Sequence, residues 1–374
     1  MKTGLITFHF VNNFGGALQC YALQRTLKEQ CDTDVTVIDY RNWFIRFTDF
    51  VRMFPVTGNR KEIASGLRTF PQRIGRRRKF ARFNSLNMTL SRPYHTSRSV
   101  SQDELKCDKY ICGSDQIWNP ILTGGFVPAY FLSFVHDPAA KASYAPSCGT
   151  GRWRPFMFFP VRRYIKSMGA LSIREAEGRN LVKRLTGRDA KQLIDPTFLL
   201  SKEQWDEVTT VPQFALKEKY ILLYIMQKDE SVYSYVREIK NKLKLPVVEI
   251  SRYGYKPDFV DKTVIDVGPS EFLGLFKNAE FICTNSYHGL VFSLVFEKEF
   301  CLVPSKKFRG RIYNLLKLLD IYIQPSLDTE EELKAKFDRE HVDAVISEEK
   351  QRSLKYLNDF INGHDTVIES STSK

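Results

Sequence analysis

Leu5-Ile6-Thr7-Phe8-His9-Phe10 leads through Val11 into Asn12-Asn13-Phe14-Gly15-Gly16, then into Ala17-Leu18-Gln19-Cys20-Tyr21-Ala22-Leu23-Gln24-Arg25-Thr26-Leu27. The first run is apolar and strand-like, the second is a turn, and the third has helical spacing. Val35 to Asp39 follows as a second strand. A strand–helix–strand opening implies a parallel sheet. Short apolar runs continue the pattern at Tyr110-Ile111-Cys112, Ala142 to Ala145, Ala170 to Ile173 and Gln192 to Ile194. A second series starts at Tyr220 to Met226 and passes through a helix-like stretch, Ser231 to Leu243. Its further strands are expected at Pro246 to Ile250, Val264 to Val267, Glu280 to Cys283 and Phe300 to Val303. The expected fold is therefore α/β, with two Rossmann-like parallel-sheet domains facing a cleft. Residues 1–205 form the first domain and residues 206–374 the second. Ligands in such sheets bind at the carboxyl ends of the strands.

The 374 residues exceed a typical single core, which agrees with two domains. No apolar run approaches the roughly 18 residues of a bilayer span. The apolar part of the N-terminus is too short for a secretion signal, so the chain is expected in the cytoplasm. The seven cysteines include no Cys-x-x-Cys pair and no His cluster accompanies them. They read as small buried thiols, and neither a metal nor another cofactor is expected.

The formal charge of +13 is concentrated. Between Arg41 and Arg92 stand thirteen Lys or Arg against Asp49 and Glu62 alone, an excess of eleven. This insertion, about 41–98, also carries Trp43, Phe44, Phe47, Phe50, Phe54, Phe70, Phe80 and Phe83. Cations with rings suit an anionic membrane surface, while the plain alternative is a solvated insertion whose rings pack on the domain. Arg152 to Arg163 repeats the chemistry. No zinc finger or RNP-type sequence supports a nucleic-acid partner.

Polar residues gather where strands are expected to end. Asn13, Gly15 and Gly16 either admit an anion to a helix N-terminus or make a plain turn. Gly113-Ser114-Asp115-Gln116-Ile117-Trp118-Asn119 places four polar side chains behind a buried strand, and Asp115 can orient a hydroxyl or act as a general base. Arg174 in Ser172-Ile173-Arg174-Glu175 either clamps a carboxylate or phosphate or pairs with Glu175 or Asp195. Asp195, before Pro196, either starts a turn or faces the cleft. In Phe281 to Leu290 a strand gives way to a helix, with Asn285, Ser286, His288 and Gly289 converging. His288 near the first turn is suited to moving protons at neutral pH.

Gly113-Ser114-Asp115 with Trp118-Asn119, Tyr144-Ala145-Pro146-Ser147, Ser172-Ile173-Arg174-Glu175, Asp195-Pro196-Thr197 and Asn285-Ser286-Tyr287-His288-Gly289 follow one another in the order seen in polysaccharide pyruvyl transferases. The resemblance runs from about residue 5 to about residue 320. It implies a GT-B-like fold and metal-independent transfer of pyruvate from phosphoenolpyruvate to a sugar, as a cyclic ketal in surface polysaccharide such as capsule or exopolysaccharide. It also implies that the first domain takes the acceptor and the second phosphoenolpyruvate. The family's phosphoenolpyruvate-binding arginine falls on Arg174 and its catalytic histidine on His288. Asp115 and then Asp195 are the candidates to handle the attacking hydroxyl. Ser286, Asn285, Gly113, Ser114, Asn13, Gly15 and Gly16 are candidates for binding substrate. Many members carry an arginine two places before the histidine, where this chain has Ser286. Lys306, Lys307, Arg309 and Arg311 follow, and Arg311, ahead of an apolar helix, is the favoured replacement. An acceptor on polyprenyl pyrophosphate would give the basic aromatic segment a task at the inner face of the plasma membrane. The alternative activity is that of a GT-B glycosyltransferase using a nucleotide sugar.

Overall fold

The structure is a computed structural model that describes residues 1–54, 60–149, 153, 155–226, 230–252, 254, 256–303, 310–322 and 334–363. Contacts divide the chain into two units. Unit one is Met1–Phe47, Asn84–Leu199 and Ser347–Lys374, and unit two is Thr48–Phe83 and Leu200–Ile346.

Unit one holds strands β1 (Lys2–Ile6), β2 (Asp34–Val37), β3 (Lys109–Cys112) and β4 (Lys141–Ser143), all parallel, in the order β2-β1-β3-β4. A short parallel pair, β5 (Ser172–Ile173) and β6 (Lys191–Gln192), continues from it through the Ala142–Ala170 bridge. The first crossover is helix α1 (Phe14–Gln30). Its apolar residues are buried nearly all round, as a helix between a sheet and other cover requires.

Unit two holds β7 (Ile221–Tyr224), β8 (Val247–Ile250), β9 (Lys262–Val264), β10 (Phe281–Thr284) and β11 (Glu299–Leu302). They form one parallel sheet in the order β11-β10-β7-β8-β9. β7, β8 and β10 are continuously buried, the pattern of strands covered on both faces. The strand expected at Val264 to Val267 is instead Lys262–Val264. Ile265 to Val267 turn away, with the Val267 amide donating to the Ile265 carbonyl at 3.0 Å.

The boundary expected between 205 and 206 falls between Leu199 and Leu200, but two segments belong to the other unit. Residues 48–83 of the basic insertion cluster with unit two, through helices α2 (Trp43–Val51), α3 (Arg60–Arg68) and α4 (Phe70–Asn87). Lys79 explains part of this: its Nζ meets Glu271 Oε1 at 3.0 Å and the Asp266 carbonyl at 3.0 Å. The last helix, Arg339–Ile361, begins in unit two and ends in unit one. There Tyr356 donates its hydroxyl to the Ser143 carbonyl at 2.8 Å, and Leu357 is fully buried. The expected tail, Glu369 to Lys374, lies outside the described residues. Among the described residues no helix is long and apolar enough to cross a membrane.

Leu357→Ala removes a side chain from this packed end and should cost about 2–5 kcal/mol in urea unfolding. An unchanged midpoint would show that the helix end does not belong to the core of unit one.

Candidate active site

In unit one the ends of β1, β3, β5 and β6 carry one connected set of polar side chains. Arg174, the first residue after β5, donates from Nη2 to Ser114 Oγ and pairs through Nη1 with Asp195 Oδ2 at 2.8 Å. Asp195 Oδ1 accepts from the Thr197 amide at 3.0 Å and hydroxyl at 2.7 Å. Both carboxylate oxygens are engaged, and Asp195 is 0% exposed while Arg174 keeps 6%. Of the partners considered for Arg174 from sequence, Asp195 is the one it pairs with, and the Thr197 bonds are those of the turn expected at Asp195-Pro196. Glu175 does not pair with Arg174 in this set: its Oε1 accepts from the Ser147 hydroxyl at 2.6 Å and the Cys148 amide at 3.0 Å.

Ser114 is fixed from the other side. Its hydroxyl donates to the Ala145 carbonyl at 2.8 Å, and its amide donates to Gln19 Oε1 at 3.2 Å. Gln19 Nε2 in turn reaches the Thr7 hydroxyl, the Phe8 carbonyl and the Gly16 carbonyl. Gly113 has φ +120°, and a Cβ there would overlap the Tyr144 carbonyl, so only glycine fits this turn. Asp115 is buried at φ +61°, with Oδ1 accepting from the Gln116 amide at 2.8 Å. Its Oδ2 lies 3.6 Å from where a Cβ on Gly16 would stand. A carboxylate thus sits against the first turn of α1, where the helix end favours negative charge. Asn13 precedes that helix, exposed and without a side-chain capping bond. The structure therefore brings Gly16, Gly113, Ser114, Asp115, Arg174 and Asp195 together.

The second set lies in unit two, where β10 ends. Thr284 donates its hydroxyl to the Tyr224 carbonyl at 2.6 Å and accepts from the Ser286 amide at 3.1 Å. Asn285 Oδ1 accepts from the Met226 amide at 2.6 Å, so its side chain ties the end of β7 to that of β10. The helix Tyr287–Val295 starts at once, with Ser286 as N-cap and His288 at its second position, 7% exposed. A Cβ on Gly289 would overlap the Thr284 hydroxyl, which explains the glycine at this junction. Arg311 opens the helix Arg311–Leu318, and its guanidinium lies 5.1 Å from the centre of the Tyr287 ring. Arg311 thus stands beside the turn that carries His288, while Lys306, Lys307 and Arg309 lie outside the described residues.

Sequence reasoning missed His9. Its Nε2 lies 3.0 Å from Asp39 Oδ1 and its Nδ1 3.1 Å from the Thr7 carbonyl. Arg41 holds both oxygens of Asp39 at 2.7–3.0 Å. The available signal was a polar residue at the end of an apolar run, where a parallel strand meets its ligand edge. Burial alone would raise the Asp39 pKa, but His9 and Arg41 overcome it and hold it down to about 2. Among the described residues no group of three or more His, Cys, Asp or Glu is gathered as a metal centre would need. Burial raises the Cys20, Cys112 and Cys148 thiols well above their usual range, which leaves them poor nucleophiles.

The Asp39 carboxylate titrates below its unfolded value, so its contribution is complete above about pH 4 and is lost as the pH falls toward 2. Wild type should lose about 2 kcal/mol from this source across that window, measured by urea unfolding at stepped pH. Asp39→Asn should be less stable at pH 7 and lack that part of the acid slope; identical slopes would contradict the assignment.

No curated protein matches the chain by sequence. Among solved structures, a protein described as a UDP-N-acetylglucosamine 2-epimerase from Listeria monocytogenes aligns with TM-score 0.50 at 8% identity, covering 99% of this chain and 92% of its own. The UDP-N-acetylglucosamine 2-epimerase of Rickettsia bellii gives 0.48 at 8% identity, covering 97% and 98%. The glycosyltransferase SnogD of Streptomyces nogalater gives 0.41 at 13% identity, covering 96% and 92%. At 8% identity the likeness to the Listeria protein is one of fold alone, and the fold class is GT-B, α/β with open parallel sheets. The model of the polysaccharide pyruvyl transferase family matches residues 13–306, a span that contains Gly16, Gly113, Ser114, Asp115, Arg174, Asp195, Asn285, Ser286 and His288, while His9 and Arg311 lie outside it. With most of its length matched and the motifs assembled at its strand ends, the chain belongs to the polysaccharide pyruvyl transferase family.

Proposed function

We propose that the protein moves pyruvate from phosphoenolpyruvate onto two hydroxyls of a sugar, forming a ketal in surface polysaccharide. The observation that carries this reading is His288 at a tight strand–helix junction, with a guanidinium packed on the neighbouring ring. The donor's methylene carbon must gain a proton, which leaves its central carbon electrophilic. One sugar hydroxyl adds to that carbon, phosphate departs with the electrons of its C–O bond, and the second hydroxyl closes the ring. Of the two hydroxyl protons, one balances the proton taken up by the methylene and the other leaves with phosphate. His288 is the general acid/base. Arg174, held by Asp195 and Ser114, takes an anionic group of the donor. Arg311 adds positive charge near His288. Asp115 orients or deprotonates a hydroxyl, with Asn13 and Gly15 in the adjoining wall.

The acceptor's source is proposed from α2. Trp43, Phe47 and Phe50 recur at helical spacing on its exposed side, with Phe54 continuing the stripe, while Ile45 is buried opposite. Arg46, Arg52, Arg77 and Arg78 are exposed in the same insertion. An excess of eleven positive charges opposes a second copy and favours an anionic bilayer, where a lipid-linked sugar would be held. In the second basic stretch Phe156 and Phe159 are exposed, whereas Arg152 and Arg154 lie outside the described residues.

Phosphate release from phosphoenolpyruvate should depend on a sugar acceptor and fall at least about 100-fold in His288→Ala and Arg174→Ala. No release with any acceptor, together with stabilisation by a nucleotide sugar, would hand the chain to glycosyl transfer. Vesicles containing phosphatidylglycerol should bind the protein at low salt and release it at high salt. The combined variant Phe47→Ser, Phe50→Ser, Arg77→Ser, Arg78→Ser should bind much less, and equal binding would remove the membrane role.

A further inference from the structure

The loop that leaves β3 is closed to solvent at every residue but one. From Ile111 to Asn119 all residues are buried except Gln116, which is half-buried. Its neighbours on both sides are anchored. Asp115, at φ +61°, has the left-handed backbone that a non-glycine residue seldom adopts, and its carbonyl accepts from the Ser147 amide at 2.8 Å. Two residues after Gln116, Trp118 stacks on Phe131 with ring centres 5.1 Å apart and donates its indole N–H to the Tyr130 carbonyl at 2.9 Å.

The side chain of Gln116 can be oriented by elimination. The Ile121 amide meets the Asn119 side chain at 3.1 Å, and a backbone N–H can only donate, so the Asn119 atom there is Oδ1. Asn119 Nδ2 is then the atom that meets Gln116, at 2.8 Å, and the Gln116 atom that receives it is Oε1. Gln116 Nε2, with its two N–H donors, is left on the side away from Asn119 and makes no hydrogen bond among the described residues. The backbone makes room for this pair. Gly149 has φ +65°, and a Cβ on it would overlap Asn119 Nδ2 and stand 3.1 Å from Gln116 Oε1. The Gly149 amide is tied in turn to the Ser147 hydroxyl at 3.2 Å, and that hydroxyl to Glu175 at 2.6 Å.

Two donors of fixed direction therefore stand one residue from the Asp115 carboxylate. The two residues are joined directly, since the Gln116 amide donates to Asp115 Oδ1 at 2.8 Å. Their side chains have opposite hydrogen-bonding character: a carboxylate accepts from a hydroxyl, and a carboxamide nitrogen donates to one. Two neighbouring hydroxyls of a sugar satisfy both, one through its proton and the other through its oxygen lone pair. The carboxylate beside Gln116 also favours a neutral hydroxyl there over an anionic group.

We infer that Gln116 is a specificity-determining residue for the acceptor. Its Nε2 donates to the oxygen of one sugar hydroxyl while Asp115 takes the proton of the neighbouring one, and Asn119 with Gly149 sets the direction of the donors. The inference rests on the pyruvyl-transfer reading for the fate of those hydroxyls, but not for the binding of the sugar itself.

The test compares wild type, Gln116→Glu and Gln116→Ala with the methyl glycosides of galactose, mannose, glucose and N-acetylmannosamine. Gln116→Glu keeps an oxygen for Asn119 Nδ2 and removes both N–H donors. Titrations followed by saturation-transfer NMR give Kd for each sugar without phosphoenolpyruvate, and phosphate release gives KM for each substrate. For the sugar that wild type binds best, Gln116→Glu should raise Kd and the acceptor KM about tenfold, with KM for phosphoenolpyruvate unchanged. Of that sugar's monodeoxy analogues, the one lacking the hydroxyl that Gln116 meets should bind wild type and Gln116→Glu equally, a coupling that a merely structural role would not produce. If Gln116→Glu does not fold, Gln116→Ala decides on the same readouts. Unchanged acceptor constants in the folded variants would overturn the inference, as would an equal rise in both KM values or the absence of sugar binding by wild type. Sugar binding that depends on Gln116, in a protein that releases no phosphate from phosphoenolpyruvate, would keep the subsite and reject the pyruvyl reading.

Discussion

The Arg174–Asp195 pair is the interaction on which the polar end of unit one depends. Two opposite charges taken from water need close geometry and further hydrogen bonds to be tolerated. Asp195 meets that requirement with Thr197 at one oxygen and Arg174 at the other. Arg174 meets it by also gripping Ser114, whose amide is held by Gln19 and whose hydroxyl is held by Ala145. Removing either charge would leave the other buried and uncompensated. Motifs scattered from Gly16 to Thr197 are therefore one hydrogen-bonded block, in which Arg174 and Asp115 keep slight contact with solvent while Ser114, Asp195 and Thr197 have none.

Unit two uses a different device. Its strand ends are joined by backbone-directed side chains: Thr284 on the Tyr224 carbonyl, and Asn285 on the Met226 amide. These bonds give the His288 turn a fixed start, and Gly289 lets the helix begin hard against β10. Ser286, the N-cap of the His288 helix, is within hydrogen-bonding reach of Tyr224.

Local signals carried much of this into the sequence. Apolar runs ending in polar loops marked the strands of both sheets, because a parallel strand covered on both faces must be apolar and its ligand edge need not be. Gly113 and Gly289 were legible as strand-end glycines, although the overlaps that require them involve Tyr144 and Thr284. What stayed hidden was set by contacts distant in sequence. Nothing near Lys79 announces Asp266 or Glu271, so residues 48–83 of the insertion were placed with the first domain although they cluster with unit two. The end of the last helix was misassigned likewise, because its anchor is the carbonyl of Ser143. For Asp195 the sequence offered both a turn and a pair with Arg174, and only the fold shows the two together, one on each oxygen. His9 passed for one more residue of an apolar strand.

The central claim is that this chain joins pyruvate to a sugar through two oxygens. The most direct measurement is mass spectrometry of the acceptor after incubation with isotope-labelled phosphoenolpyruvate and purified protein. The account predicts a labelled product with the mass increment of a pyruvate ketal, cleaved by mild acid, and absent with His288→Ala. Label that stays in phosphoenolpyruvate while a nucleotide sugar transfers its sugar to the same acceptor would contradict it.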